Sequence, residues 1–212
     1  MKYKCIIFDC DGVLVDSETI TCRVLVEMTR ELGIPMKLEF AVQNFLGKSL
    51  NSIMQHLDRL LDNNLPANFE SEYRRKTFEA FKKDLQPIEG VQALLDKLEI
   101  PFCVASSGPL KKIHHNLAIT GLADKFQGKM FSCYEINNWK PNPHIFLYAA
   151  EVMGFEPEEC VVIEDSIIGV QAAIAGGFDV FMYSKDKQND HVGLEGVNIF
   201  DEMTQLDILL SL

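Results

Sequence analysis

Two aspartates separated by a single residue stand at the end of a short apolar run, Cys5-Ile6-Ile7-Phe8-Asp9-Cys10-Asp11-Gly12. Carboxylates of that type and spacing can attack an electrophile, pass a proton or hold a cation. In extended backbone, residues i and i+2 project to the same side, so Asp9 and Asp11 are expected to converge on one small site. Like charges that close raise each other's pKa unless something positive lies beside them. A divalent metal meets that need, since Mg²⁺ takes oxygen ligands and is commonly held by one or two carboxylates with substrate phosphate and water. An Asp-x-Asp after a strand can also do no more than cap a turn, so the rest of the chain has to decide between them.

The elements that must position this pair are legible from periodicity. Cys5–Phe8 is short, apolar and partly β-branched, as suits a strand buried on both faces of a parallel sheet. Residues from about 18 to 84 are charged and helically periodic, with apolar positions at three- and four-residue spacing in Val24-Leu25-Met28-Leu32 and Ile53-Leu57-Leu60-Leu61. Gly33 is expected to close the first of these helices. From Pro87 onward strands and helices alternate. Helices are expected around Val91–Leu98, Lys111–Ile119, Pro143–Met153 and Ser166–Ala175, and strands at Phe102–Ala105, Lys129–Ser132, Cys160–Ile163 and Asp179–Met182. This alternation predicts a doubly wound α/β core with a parallel sheet. The helical block falls between the first strand and the remainder, so it reads as an inserted all-helical domain over 17–84. The core would then comprise 1–16 and 85–212, with the two chain crossings near 14–17 and 84–88 forming a hinge.

In open parallel sheets, ligands bind outside the carboxyl ends of the strands. The first strand ends in Asp9-Cys10-Asp11-Gly12, the Phe102 strand in Ser106-Ser107-Gly108, and the Cys160 strand in Glu164-Asp165-Ser166. Lys140 lies between the last two in Trp139-Lys140-Pro141-Asn142-Pro143, where the prolines fix an extended approach to a helix. A hydroxyl, a cation and four carboxylates are thus expected at one edge. Singly, each has a plain structural explanation. Ser106 and Ser107 could cap a helix before Pro109, Lys140 could be a solvated lysine, and Glu164-Asp165 could be an N-cap with an acid favoured by the helix dipole. Cys10 should point away from the two acids and serve packing.

Composition excludes several classes. With 212 residues and 47% hydrophobic content the chain can bury a large core. No run approaches the roughly 18 apolar residues of a membrane span. The start is too short for the apolar region of a secretory signal, so a soluble, cytoplasmic protein is expected. The six cysteines include no C-x-x-C pair and read as reduced core residues. The five histidines show no zinc-binding spacing. A net charge of −11 argues against nucleic acid, whose backbone needs a basic stripe, but a small anion can still be held by local cations, amides and a metal.

Phe8-Asp9-Cys10-Asp11-Gly12-Val13-Leu14-Val15-Asp16-Ser17, then Val104-Ala105-Ser106, Lys140-Pro141, and Ile163-Glu164-Asp165-Ser166 with Gly169 after it, resemble the four ordered motifs of the haloacid dehalogenase superfamily. The likeness runs from residue 5 to about 183 and includes a helical cap inserted after the first motif. Within the superfamily the chain is similar to the β-phosphoglucomutase-like branch of sugar phosphatases, and Phe131–Ile136 with Trp139–Pro143 to bacterial 6-phosphogluconate phosphatases.

The resemblance implies a Rossmann-like core and Mg²⁺-dependent hydrolysis of small sugar or sugar-acid phosphates through an aspartyl phosphate. It makes Asp9 the nucleophile and Asp11 the acid and base, and it assigns the metal to Asp9, the backbone carbonyl of Asp11, Asp165 and Glu164, the last as a direct or more distant ligand. Ser106 and Lys140 would be catalytic, Ser107 and Gly108 would add backbone donors, and a cap loop at Gly47-Lys48-Ser49 would contact substrate. Arg23 and Arg75 are further cap candidates. The expected partner is a small phosphorylated metabolite, met by a monomer. The alternatives are a phosphomutase of the β-phosphoglucomutase type, for which a cap base is required where this chain has Thr21, and a non-catalytic phosphometabolite-binding module. Asp11 marks the phosphotransferase side of the superfamily and disfavours dehalogenation.

Overall fold

The computed structural model describes residues 2–45, 50–184 and 197–210. It divides into two compact units, Met1–Val15 with Gln86–Leu212, and Asp16–Leu85.

In chain order the elements are β1 (Cys5–Phe8), α1 (Glu18–Glu31), α2 (Leu38–Phe45), α3 (Leu50–Leu60), α4 (Phe69–Asp84), α5 (Val91–Lys97), β2 (Phe102–Ser106), α6 (Leu110–Ile119) and β3 (Met130–Ser132). They continue with α7 (Cys133–Ile136), α8 (His144–Met153), β4 (Cys160–Glu164), α9 (Ile167–Ala175), β5 (Asp179–Tyr183), β6 (Asn198–Phe200) and α10 (Leu206–Leu209). The first unit is built on one six-stranded sheet of order β3-β2-β1-β4-β5-β6, parallel throughout. β1 sits in the middle. The chain builds outward from it to β3 on one side and to β6 on the other, so the strand order reverses beside β1, where such sheets open a ligand crevice.

Burial on both faces explains why the central strands are apolar without alternation. Cys5, Ile7, Cys103, Ala105, Cys160 and Val162 face one layer, where Phe146, Val170, Ala173 and Phe178 pack. On the other face Phe8, Phe102 and Phe126 meet edge to face, with centroids 6.2, 6.5 and 5.3 Å apart, the geometry aromatic quadrupoles favour. All six cysteines are buried free thiols.

In the second unit α1, α2, α3 and α4 surround a core that includes Leu25, Met28, Ala41, Phe45, Ile53, Leu57 and Tyr73. Gly33, at φ +79°, turns the chain out of α1, a conformation that side chains with a Cβ resist. Leu60 departs from the expected apolar stripe. It is exposed, because α3 ends there and the apolar face is already complete at Leu57. Three elements, β6, α7 and α10, carry no expectation from sequence. β6 has three residues, and α7 is a single turn after β3. No helix among the described residues is long and apolar enough to cross a membrane.

The aromatic trio generates a stability prediction. Phe126→Ala should destabilise the α/β unit by about 3–5 kcal/mol, because a fully buried ring is removed from a site that cannot collapse. The chain's one tryptophan, Trp139, lies in that unit. Urea unfolding followed by its fluorescence should show a lower midpoint with an unchanged slope.

Candidate active site

The carboxyl ends of β1, β2 and β4 meet at Lys140. Its Nζ donates to Asp9 Oδ1 at 2.6 Å, to Glu164 Oε1 at 2.6 Å and to the Ala105 carbonyl at 3.3 Å, and it lies 4.7 Å above the Phe146 ring. All three side chains are buried, with Lys140 8% exposed, Asp9 6% and Glu164 1%. Lys140 reaches them from the connection between α7 and α8, whose Pro141 bond is cis.

Burial lowers the ammonium's pKa, but Asp9 and Glu164 outweigh it and hold Lys140 above the ordinary lysine value. Burial pushes Asp9 up, to about 7. Lys140 pulls it back, and Glu164 and Asp11 push it further up. A lone lysine shared between two buried acids therefore does not offset the effect of burial on Asp9, and further positive charge would favour its ionised form.

Glu164 has both oxygens committed. Oε1 takes Lys140, while Oε2 accepts from the backbone N–H of Asp165 at 2.9 Å, from that of Ser166 at 2.8 Å and from the Ser166 hydroxyl at 2.9 Å. Ser166 then accepts from Gly169 N at 3.1 Å and opens α9. The helix cap is therefore Ser166, not Glu164 or Asp165. Gly169 is required here, since a Cβ would lie 1.9 Å from Glu164 Oε1.

Asp9 Oδ2, by contrast, accepts no hydrogen bond among the described residues, whereas Oδ1 is held by Lys140. The strand ends at Phe8, so the i, i+2 rule does not carry through to Asp11. Its carboxylate turns to α6, where Lys112 Nζ lies 2.8 Å from Oδ2 and Asn116 Nδ2 3.4 Å from Oδ1. Gly12, at φ +84°, brings the turn against Asp165, whose Oδ2 would stand 2.1 Å from a Cβ there.

Ser106 is buried at the end of β2, and Gly108 N donates to its hydroxyl oxygen at 3.1 Å. That amide thus shapes the loop instead of standing free as an anion donor. Ser132 Oγ donates to the Gly108 carbonyl at 2.7 Å and ties the loop to β3. Ser107 is exposed, its hydroxyl 4.0 Å from Cys133 Sγ. Pro109 stands at the residue before α6, and neither serine makes a capping hydrogen bond to that helix. Cys10 is fully buried, and burial followed by Asp11 and Asp9 drives its thiol pKa well above the ordinary value, so it packs and does not react.

The carboxylates of Asp9 and Asp165 with the Asp11 carbonyl, and Glu164 as a direct or more distant ligand, are expected around the metal; among the described residues no three His, Cys, Asp or Glu side chains form a group able to hold one. Glu164 is spent on Lys140 and backbone, and the Asp11 side chain on α6. What remains fits a hydrated Mg²⁺. The Asp9 carboxylate with its open oxygen, the Asp165 carboxylate pressed on Gly12 and the Asp11 carbonyl are all-oxygen donors that could hold it with two acids, the usual protein share for this ion. Gly47, Lys48 and Ser49 lie outside the described residues. Arg23 and Arg75 pair with Asp84 and Glu72 on the surface of the helical unit. Lys112 and Asn116 were not anticipated. Asn116 sits inside the apolar stripe Ile113-Asn116-Leu117 of α6, and a polar residue at a core position is the signal that could have marked it.

Comparison with known proteins extends this picture. A family model for haloacid dehalogenase-like hydrolases matches residues 3–177. The chain is 35% identical to the 6-phosphogluconate phosphatase of Escherichia coli over 97% of its own length and 93% of that protein's. The crystal structure of a haloacid dehalogenase-like protein of Agrobacterium tumefaciens superposes with a TM-score of 0.88 at 28% identity, covering 99% of this chain and 98% of that one. A hydrolase of the same family from Deinococcus radiodurans, with phosphate and sodium bound, gives 0.82 at 25% identity, covering 99% and 96%.

The Glu164–Gly169 contact makes a prediction with a reversed sign. Glycine to alanine inside a helix ordinarily stabilises by about 0.5–1 kcal/mol. Gly169→Ala should instead destabilise by about 1–3 kcal/mol, the cost of forcing atoms into a filled site, and should lower turnover by displacing the partner of Lys140. Thermal melting and a phosphate-release assay read the two effects separately.

Proposed function

The chain belongs to the haloacid dehalogenase-like hydrolases, and on that footing we propose that it is a Mg²⁺-dependent phosphatase of small sugar or sugar-acid phosphates, 6-phosphogluconate among them, working through an aspartyl phosphate on Asp9. The observation that carries the reading is the state of Asp9, one oxygen clamped by a buried lysine and the other open. A carboxylate so held keeps a fixed direction of attack, and positioning of this kind supplies much of the rate in phosphoryl transfer.

In the first step Asp9 Oδ2 attacks phosphorus, the ester P–O bond breaks, and the departing sugar oxygen takes a proton from Asp11. In the second, Asp11 takes a proton from water as its oxygen attacks phosphorus. The bond to Asp9 breaks and inorganic phosphate leaves. Lys140 offsets charge as it develops, and the Ser106 hydroxyl donates to a phosphoryl oxygen. Asp9, Asp165 and the Asp11 carbonyl would hold Mg²⁺, which when bound would lower the repulsion between carboxylate and phosphate dianion. Glu164 positions Lys140, which accords with the more distant of the two metal roles expected for it.

The mutase alternative has less support. Thr21 in α1 donates its hydroxyl to the Glu18 carbonyl at 2.7 Å. It has no imidazole with which to take a proton from a sugar hydroxyl near neutral pH, so water is the acceptor in this reading.

Asp9→Asn should fold as wild type and lose at least about 10³-fold in turnover, since an amide neither attacks phosphorus nor supplies the charge. Activity above about a tenth of wild type, a loss of only about 1.4 kcal/mol of barrier, would exclude Asp9 as nucleophile. Chelation should abolish phosphate release, with Mg²⁺ restoring it and Ca²⁺ failing to, because the larger ion coordinates irregularly. Phosphorus NMR with β-glucose 1-phosphate and a bisphosphate primer should show phosphate release without net isomerisation.

A further inference from the structure

We infer that Lys112 and Asn116, one turn apart on α6, are positioning residues that hold Asp11 beside the reacting phosphoryl group, an inference that rests on the phosphatase reading above. The two side chains share a helix face and approach Asp11 together, Lys112 Nζ on Oδ2 at 2.8 Å and Asn116 Nδ2 toward Oδ1 at 3.4 Å. Asp11 needs such support, because it lies in the turn beyond β1 and its side chain is 24% exposed. Nothing in strand geometry fixes it.

The place where it is held is also informative. A Cβ on Gly108 would find Ser106 Oγ at 3.5 Å, the Lys112 stem at 3.5 Å and Asp11 Oδ2 at 3.8 Å. α6 therefore keeps the carboxylate at the Ser106–Gly108 loop, next to the hydroxyl assigned to the phosphoryl oxygens. A proton donor must be within hydrogen-bond reach of the departing oxygen, and this is the side from which Asp11 can reach it.

Asn116 strengthens the case. It is fully buried, and its Oδ1 has no hydrogen-bond partner among the described residues. Leaving a buried acceptor unpaired is unfavourable. The opposite amide orientation would set that oxygen against an Asp11 oxygen, so the orphaned carbonyl follows from turning the donor toward Asp11.

The test uses leaving groups. A sugar alkoxide departs only with a proton, whereas nitrophenolate leaves readily without one. The parameter kcat/KM reports phosphorylation of the enzyme and is blind to the later hydrolysis. Lys112→Met is expected to lower kcat/KM for 6-phosphogluconate by about 10²-fold, the usual worth of a positioned acid, and for 4-nitrophenyl phosphate by several-fold at most. Lys112→Arg, which keeps a donor within reach of Asp11, is expected to hold the ratio between the two esters near the wild-type value.

Equal losses on both esters, as anchoring of phosphate or a structural role would give, would overturn the inference. So would no loss, or an arginine variant whose ratio collapses like that of methionine. Far-ultraviolet circular dichroism of each variant guards against unfolding, and the arginine variant decides the matter if the methionine one does not fold. A wild-type enzyme that releases phosphate from neither ester overturns the phosphatase reading itself, an outcome distinct from equal losses in the variants.

Discussion

One ammonium group at the end of the sheet ties the site together. Lys140 is buried with Asp9 and Glu164, and its Nζ bridges them at 2.6 Å each. A lysine taken out of water is tolerated only where opposite charge and hydrogen bonds replace the lost hydration. Two carboxylates, one carbonyl and an aromatic face do so here. Much of the surrounding architecture follows from that requirement. The parallel order β2-β1-β4 brings the carbonyl of Ala105, Asp9 and Glu164 to one level, and the α7–α8 connection delivers the lysine to it. Glu164 is in turn fixed by two amides and a hydroxyl at the start of α9, over a glycine that admits no Cβ.

The same arrangement divides work between acids that look alike in sequence. Glu164 is saturated and serves as a fixed counter-charge. Asp9 keeps one oxygen open, and burial, with the neighbouring acids and against the pull of Lys140, raises its pKa to about 7, so additional positive charge favours its ionised form. Asp11 belongs to a separate set of contacts with Lys112 and Asn116 on α6. Pairs of titratable groups given different surroundings are how one fold runs distinct proton and charge chemistry at a single pH.

Most of this was legible in the residues, for physical reasons. The apolar runs Cys5–Phe8 and Cys160–Ile163 read as buried strands because burial on both faces leaves no room for polar alternation. The strand-end rule then brought Asp9, Ser106 and Glu164 to one edge before any geometry was known. What escaped depended on contacts distant in sequence. Asp11 and Lys112 are 101 residues apart, and only the position of β2 and α6 beside β1 brings them together. Whether Glu164 meets a metal directly was not legible, because a carboxylate's type does not reveal that its oxygens will be filled by Lys140 and by the backbone of the next two residues. β6, at three residues, was too short for periodicity to mark.

The central claim is that the clamped, half-open Asp9 is the group that accepts the phosphoryl from substrate. Rapid acid quenching of the enzyme during turnover of a ³²P-labelled sugar phosphate, with a parallel quenched sample reduced by tritiated borohydride and peptide-mapped, tests it directly. Acyl phosphates are reduced where esters and phosphoramidates are not. The account predicts transient ³²P on the protein that reduction expels as phosphate, with tritium then on the peptide spanning Cys5 to Leu14 and homoserine at position 9. Label on a serine or histidine, or single-turnover phosphate release at full rate with no label on the protein, would contradict it.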